Sequence, residues 1–144
     1  MFLRKLIIEN FRCFGEGGAR FEVEFPPGLS ALVGANDAGK TAVIDALRFA
    51  LGTSDQDWTR IEDTDFHNTA RPIRIVCHFV DVDDKNLRAF LEYLSYGAEG
   101  GKPSLFVNWT VDNTVKQRRG RPYRRPSCTS GSDGKGTEFS QEAR

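Results

Sequence analysis

With 144 residues, eleven of them Phe, and 20 basic against 20 acidic side chains, the chain has room for one domain with a real core and is a small globular protein. Its zero net charge conceals an asymmetry, because residues 1–115 carry 12 basic and 17 acidic side chains while 116–144 carry 8 and 3, so the basic character is confined to the C-terminal end. Cys13, Cys77 and Cys128 are widely spaced, with no C-x-x-C and no His at ligand spacing, which excludes a disulfide framework and a zinc site and fits a reduced, cytoplasmic chain; no stretch has the form of a signal peptide or approaches membrane-spanning length.

In chain order, Phe2 to Ile8 reads as a first strand, ending in Glu9-Asn10-Phe11-Arg12-Cys13-Phe14 ahead of the turn Gly15-Glu16-Gly17-Gly18. Phe21-Glu22-Val23-Glu24-Phe25 alternates, so its Phe and Val face a core and its Glu pair faces water, before Pro26-Pro27-Gly28 breaks this second strand. Leu29 to Val33 is a short apolar run that predicts an interior strand.

That run leads into Gly34-Ala35-Asn36-Asp37-Ala38-Gly39-Lys40-Thr41, which fits G-x-x-x-x-G-K-[ST] at every fixed position. Phosphate oxygens need several donors converging from one side, and backbone N–H groups can supply them only where side chains do not block the approach. Gly34 and Gly39 remove that block, and the N–H groups from Asn36 to Ala42 become the donors. Lys40 sets a cation against the outer phosphates and Thr41 offers a hydroxyl to Mg²⁺. Ala42 to Leu51, with Val43, Ile44, Leu47 and Leu51 at helical spacing, predicts the helix that should follow, closed by Gly52. The competing reading, a glycine turn without a ligand, does not account for strand, loop and helix in this order. The expected ligand is ATP with Mg²⁺.

Thr53 to Ala70 reads as a connecting loop with a short helix, Trp58 and Ile61 folding back on the core and His67 solvated. Ile73 to Val80 alternates as another strand, and Asp81 to Asp84 supply a turn and an N-cap. Leu87, Phe90, Leu91 and Leu94 then predict an amphipathic helix ending at Gly97. Ser104 to Val115 is a last strand with Leu105, Val107, Trp109 and Val111 on one face. Beyond it Lys116, Arg118, Arg119, Arg121, Arg124 and Arg125 gather around Tyr123, and Ser127 to Gly136 is rich in Ser and Gly. These features divide the chain into a lobe, 1–115, and a basic, flexible tail, 116–144.

The stretches LRKLIIENFRCF, GLSALVGANDAGKTAVIDALRFALG and DFHN resemble the start of an SMC/RecF-type ABC ATPase, and within that group the OLD family of ATP-dependent nucleases. The resemblance implies an α/β P-loop NTPase fold, here its N-terminal lobe: a mixed sheet with a phosphate-loop helix and a second amphipathic helix. It also implies a parent enzyme that acts on DNA in repair or phage defence, an ATP-dependent head-to-head dimer, and a place for Arg12 near the bound phosphates. Such an ATPase needs a strand ending in Asp-Glu, a signature motif and a switch His, and an OLD nuclease needs a carboxylate metal domain. None is found in these residues, so the chain is expected to be a truncated lobe whose Lys40 assists but does not complete catalysis. The alternatives are a stand-alone nucleotide-binding module without activity, and a P-loop kinase or GTPase. The last lacks a convincing N-K-x-D and has its D-x-x-G, Asp133 to Gly136, in the Ser/Gly-rich end.

Overall fold

A computed structural model describes residues 1–52, 60–97 and 101–139; Trp58 lies outside them. The elements are β1 (Phe2–Glu9), β2 (Phe21–Glu24), α1 (Lys40–Leu51), β3 (Ile73–Val80), α2 (Asp84–Ala89), β4 (Leu94–Ser95), β5 (Ser104–Val111), β6 (Lys116–Arg118), β7 (Arg121–Tyr123) and β8 (Ser127–Thr129). The main sheet runs β2-β1-β3-β5-β4 with β8 also on β5, and β6 and β7 form a separate ribbon. Each pairing between described strands is antiparallel.

Alternation in β1, β3 and β5 puts Leu6, Ile8, Ile73, Ile75, Cys77, Leu105, Val107, Trp109 and Val111 into one buried layer, where cross-strand partners such as Ile75 and Trp109 sit directly opposite. Helix α1 packs on β3 and β5. It does so through Ala42, Val43, Ala46 and Ala50, small side chains that let the helix approach closely. Phe49 stacks on Trp109 at 5.6 Å and meets the edge of Phe11 at 5.7 Å, geometries favoured by the ring quadrupole. Gly52, at φ 60°, ends the helix as its residue type suggests. Ile44, counted from its spacing in the apolar stripe, is instead 44% exposed, because the Ala42/Ala46/Ala50 row takes the sheet side and residue 44 falls almost opposite it.

Four expectations are corrected. Residues 29–33 form no strand; Leu29 is 99% and Val33 92% exposed. An apolar run becomes a buried strand only beside a neighbour that pairs with its backbone, and no described strand does so here. Helix α2 covers six residues, capped by Asp83 accepting from the Asn86 N–H at 2.9 Å, and then gives way to a 3₁₀ turn at Leu91–Tyr93. Leu94 pairs with Leu105 in β4 and Tyr93 stacks on Phe139 at 4.3 Å, so tertiary partners override the helical spacing, and Leu91 is left exposed.

The strand expected to reach Val115 stops at Val111. The chain then crosses the boundary expected at 115 and returns to the sheet, since β8 pairs with β5 through Asn108↔Thr129, Trp109↔Cys128 and Thr110↔Ser127. Cys128 and Phe139 are buried on either side of the glycine-rich turn, tied by Phe139 N–H donating to the Cys128 carbonyl at 2.9 Å. The turn is closed by Ser130 N–H to Thr137 O and Gly136 N–H to Ser130 O, both 2.9 Å. Two apolar side chains spaced eleven residues apart carry no local period, which is why composition alone reads this end as a tail.

Candidate nucleotide site

The phosphate loop crosses from solvent into α1, with Gly34 to Ala38 exposed and Gly39 at φ 87°. A β-carbon on Gly39 would lie 2.7 Å from the Phe14 ring and 2.8 Å from Cys13 Sγ, so both the backbone conformation and the space demand glycine. Gly39 provides no side-chain cap, and the first turn of α1 carries no acidic residue. The N–H groups that open a helix have no intrahelical acceptor, so here they face outward together with the partial positive charge of the helix end. Lys40 Nζ donates to the Gly34 and Ala35 carbonyls at 2.6 Å each, which stretches the cation across the loop. Thr41 is exposed in the first turn, and beside it opens a depression lined by Leu32, Lys40, Thr41, Ile44, Asp45 and Arg48. This donor set, on an exposed loop, fits a polyphosphate, although at Gly39 the space that glycine leaves is filled by Phe14 and Cys13 rather than opened to a ligand. No cluster of three or more His, Cys, Asp or Glu able to hold a metal occurs among the described residues, so a divalent ion here would rest on phosphate oxygens and the Thr41 hydroxyl.

Arg12 reaches α1 from the other side. The chain leaving β1 folds into a tight turn, with Asn10 at φ 57° and Arg12 at φ 50°. Phe14 N–H donates to the Phe11 carbonyl and Asn10 N–H to the Gly15 carbonyl, both at 2.9 Å. Left-handed backbone at a residue with a long side chain costs roughly 1–2 kcal/mol, and Arg12 offsets this by bonding. Its Nε donates to Asp65 at 2.9 Å, its terminal nitrogen to Asp45 at 2.5 Å, and its guanidinium lies 4.8 Å over the Phe11 ring. Burial pulls its pKa down, but the hydrogen bonds to Asp45 and Asp65 outweigh that and raise it above the ordinary arginine value. Asp45 belongs both to this pair and to the depression beside Lys40 and Thr41. Arg12 therefore neutralises a carboxylate that would otherwise repel phosphate.

Asn10, fully buried, holds the turn to the loop before β3. Its amide donates to the carbonyls of Arg71 at 2.7 Å, Asn68 at 2.9 Å and Pro72 at 3.2 Å, while its oxygen accepts from Asn68 N–H at 2.7 Å. His67 donates from Nδ1 to the Arg12 carbonyl at 2.9 Å, and Phe11 bridges to Phe66. The two stretches singled out in the sequence, Asn10-Phe11-Arg12 and Asp65-Phe66-His67-Asn68, are thus one structural unit, braced against the phosphate-loop helix. Asn10 and Phe14 belong to the stretch that carries the resemblance, but neither was given a role in the site. The available signal was an Asn at a strand end, a residue type that tolerates left-handed backbone.

An AAA-domain family model matches residues 5–142. The chain is 33% identical over 90 residues to the chromosome partition protein Smc of Aquifex aeolicus (strain VF5), covering 62% of this chain and 8% of that protein. Against the Smc of Bacillus subtilis (strain 168) it is 42% identical over 52 residues, 36% of this chain and 4% of that one. The chain thus spans less than a tenth of the length of these curated relatives. A solved structure from work on ATP-driven dimerization and DNA-stimulated activation of SMC ATPases superposes with a TM-score of 0.62 at 19% identity, covering 99% of this chain and 74% of that one. The shared fold is that of an SMC-type ATPase head, and the sheet with α1 is its N-terminal P-loop lobe.

Proposed function

The chain belongs to the AAA-domain family, and from that premise we propose that it is the MgATP-binding lobe of a cytoplasmic, OLD-type, SMC/RecF-like ATPase whose parent acts on DNA as an endonuclease in repair or defence. The observation that carries the nucleotide half is the start of α1, where Gly39, Lys40 and Thr41 bring donors to one point and the first turn carries no acidic side chain. In this reading the N–H groups of residues 36–42 and Lys40 would hold the phosphates, and the Thr41 hydroxyl would help hold Mg²⁺, which would supply neutralisation of phosphate charge. Arg12 acts from behind, through Asp45.

Hydrolysis requires more than this lobe. Donors that grip the ground state do not by themselves stabilise a transition state, and the acidic strand and signature motif belong to a second lobe and to a partner head in an ATP-dependent head-to-head dimer. Residues 29–33, whose Leu29 and Val33 lie open, are where strands of that second lobe would pair. Calorimetry with MgATP tests the assignment. Lys40→Ala should bind about tenfold to a hundredfold more weakly, the equivalent of roughly 1.5–3 kcal/mol for a charge-assisted contact. Equal affinities would sink the site. Phosphate release by the wild-type chain well above that of Lys40→Ala would show that a catalytic carboxylate is already present.

A further inference from the structure

We propose that the β6–β7 ribbon is a docking surface for double-stranded DNA, held through the phosphate backbone and without base sequence preference. Residues directly opposite in an antiparallel pair share a face, as do alternate residues along a strand. The register Lys116↔Tyr123, Gln117↔Pro122, Arg118↔Arg121 therefore gathers Lys116, Arg118, Arg121 and Tyr123 on one face and leaves Gln117 and Pro122 on the other. The three cationic residues are exposed, as are Arg119 at the tip and Arg125 just beyond β7. Between Lys116 and Arg125 there are six cations and no acidic residue, whereas residues 1–115 carry 12 basic and 17 acidic side chains. A polyanion approaching this chain is repelled by the body and drawn to the ribbon.

The turn itself supports a binding role. Arg119 at φ 50° and Gly120 at φ 75° make a two-residue connection in left-handed backbone, a place usually taken by Asn, Asp or Gly. Arg119, although not of that preferred type, stands there and puts a charge at the apex. The base is fixed to the lobe by the one arginine of the group that is half-buried. Arg124 donates to the Ile61 carbonyl at 2.7 Å and to Asn113 at 2.8 Å, pairs with Asp63, and lies over the Phe66 ring. The ribbon is thus anchored at its root, and its cationic face does not include Arg124.

Dimensions favour a duplex. The major groove of B-DNA is about 12 Å wide, and a two-stranded ribbon is one of the shapes it admits. The proposal rests on the DNA half of the function given above and is independent of the nucleotide half.

The test is fluorescence anisotropy of a labelled duplex of about 20 base pairs and of the matching single strand at several salt concentrations, with the whole chain and with Arg119→Glu/Arg121→Glu. Contacts to four phosphates give a slope of log affinity on log salt of about −3.6 for the duplex, and losing two of them brings it to about −1.8. The expected results are that slope, at least a tenfold loss in the double variant, retention in Arg119→Lys/Arg121→Lys, and unchanged MgATP affinity in all of these proteins. A Lys116→Gln/Arg125→Gln variant, with no charge reversal, should lose affinity in the same direction and serves if the glutamates perturb folding. Absence of duplex binding by the wild type, equal binding by wild type and charge variants, or tighter binding to the single strand would overturn the proposal. Loss of MgATP binding in Lys40→Ala with duplex binding intact would leave it standing.

Discussion

Replacing Asn10 by Ala should be among the most damaging single changes in the chain. The side chain is fully buried and makes contacts to four backbone groups: its amide serves the Asn68, Arg71 and Pro72 carbonyls, and its oxygen takes the Asn68 N–H. An alanine leaves those groups, which belong to the exposed residues Asn68, Arg71 and Pro72, without these bonds, and each one that water does not reach costs about 1–3 kcal/mol. If water re-enters to serve half of them, two groups remain, for about 2–6 kcal/mol. The backbone at φ 57° adds a further strain of about 1 kcal/mol, because alanine tolerates the left-handed region less well than asparagine. Against a total stability of roughly 5–15 kcal/mol for a domain, a loss of about 3–7 kcal/mol leaves the fold marginal. Urea unfolding followed by circular dichroism measures it directly from the shift in midpoint. Asn10→Gly separates the two contributions, since it relieves the backbone while still removing the bonds, and should recover only about 1 kcal/mol. A loss below about 1 kcal/mol in Asn10→Ala would refute the reasoning.

Two further outcomes follow from the site and the sheet. Arg12→Ala should lower stability by about 1–2 kcal/mol, the range of partly exposed charge-assisted bonds. It should also weaken MgATP several-fold at low salt by leaving the Asp45 carboxylate only its longer pair with Arg48 at 3.4 Å, and Asp45→Asn added to it should restore nucleotide affinity without restoring stability. Failure of that rescue in calorimetry would remove Arg12 from the nucleotide account. His78 stacks on Phe106 at 4.0 Å. Burial first, then the nearby positive charges of Lys5 and Arg4, push its pKa below the ordinary histidine value, with Glu24 opposing. The fold therefore prefers the neutral ring, and stability contributed above the unfolded-state pKa of about 6.5 is lost as pH falls through that value towards the lowered one. Melting temperatures between about pH 7 and pH 5 should fall more for the wild type than for His78→Gln; parallel curves would contradict this.

Strands whose partners are close to a regular pattern were legible. Ile73 to Val80 matches the strand found, and Phe21 and Val23 face inward as their alternation indicates, because a period of two is written in adjacent residues. The start of α1 at Lys40 and its end at Gly52 were legible because residue types at fixed spacing mark them. The misses share a different cause. Leu29 to Val33, Leu94 and Cys128 take their conformation from partners, present or lacking, that lie elsewhere in space, and a local window carries no information about those partners. Arg12 shows the same limit within the site. Its residue type was noticed, but its bonds to Asp45 and Asp65 depend on a turn in left-handed backbone that no apolar period announces.

The three thiols differ in a way that is useful at the bench. Cys77 and Cys128 are sealed inside, and burial, reinforced by the neighbouring Cys128, pushes the Cys77 thiol up to about 12, so at neutral pH it has almost no thiolate to react. Cys13 alone is exposed, and its sulfur sits against Gly39, where the phosphate loop enters α1. The native chain thus comes with a single addressable handle at the point where loop movement would be felt. A small maleimide dye placed there would report nucleotide entry as a change in emission, and MgATP should in turn slow the labelling itself.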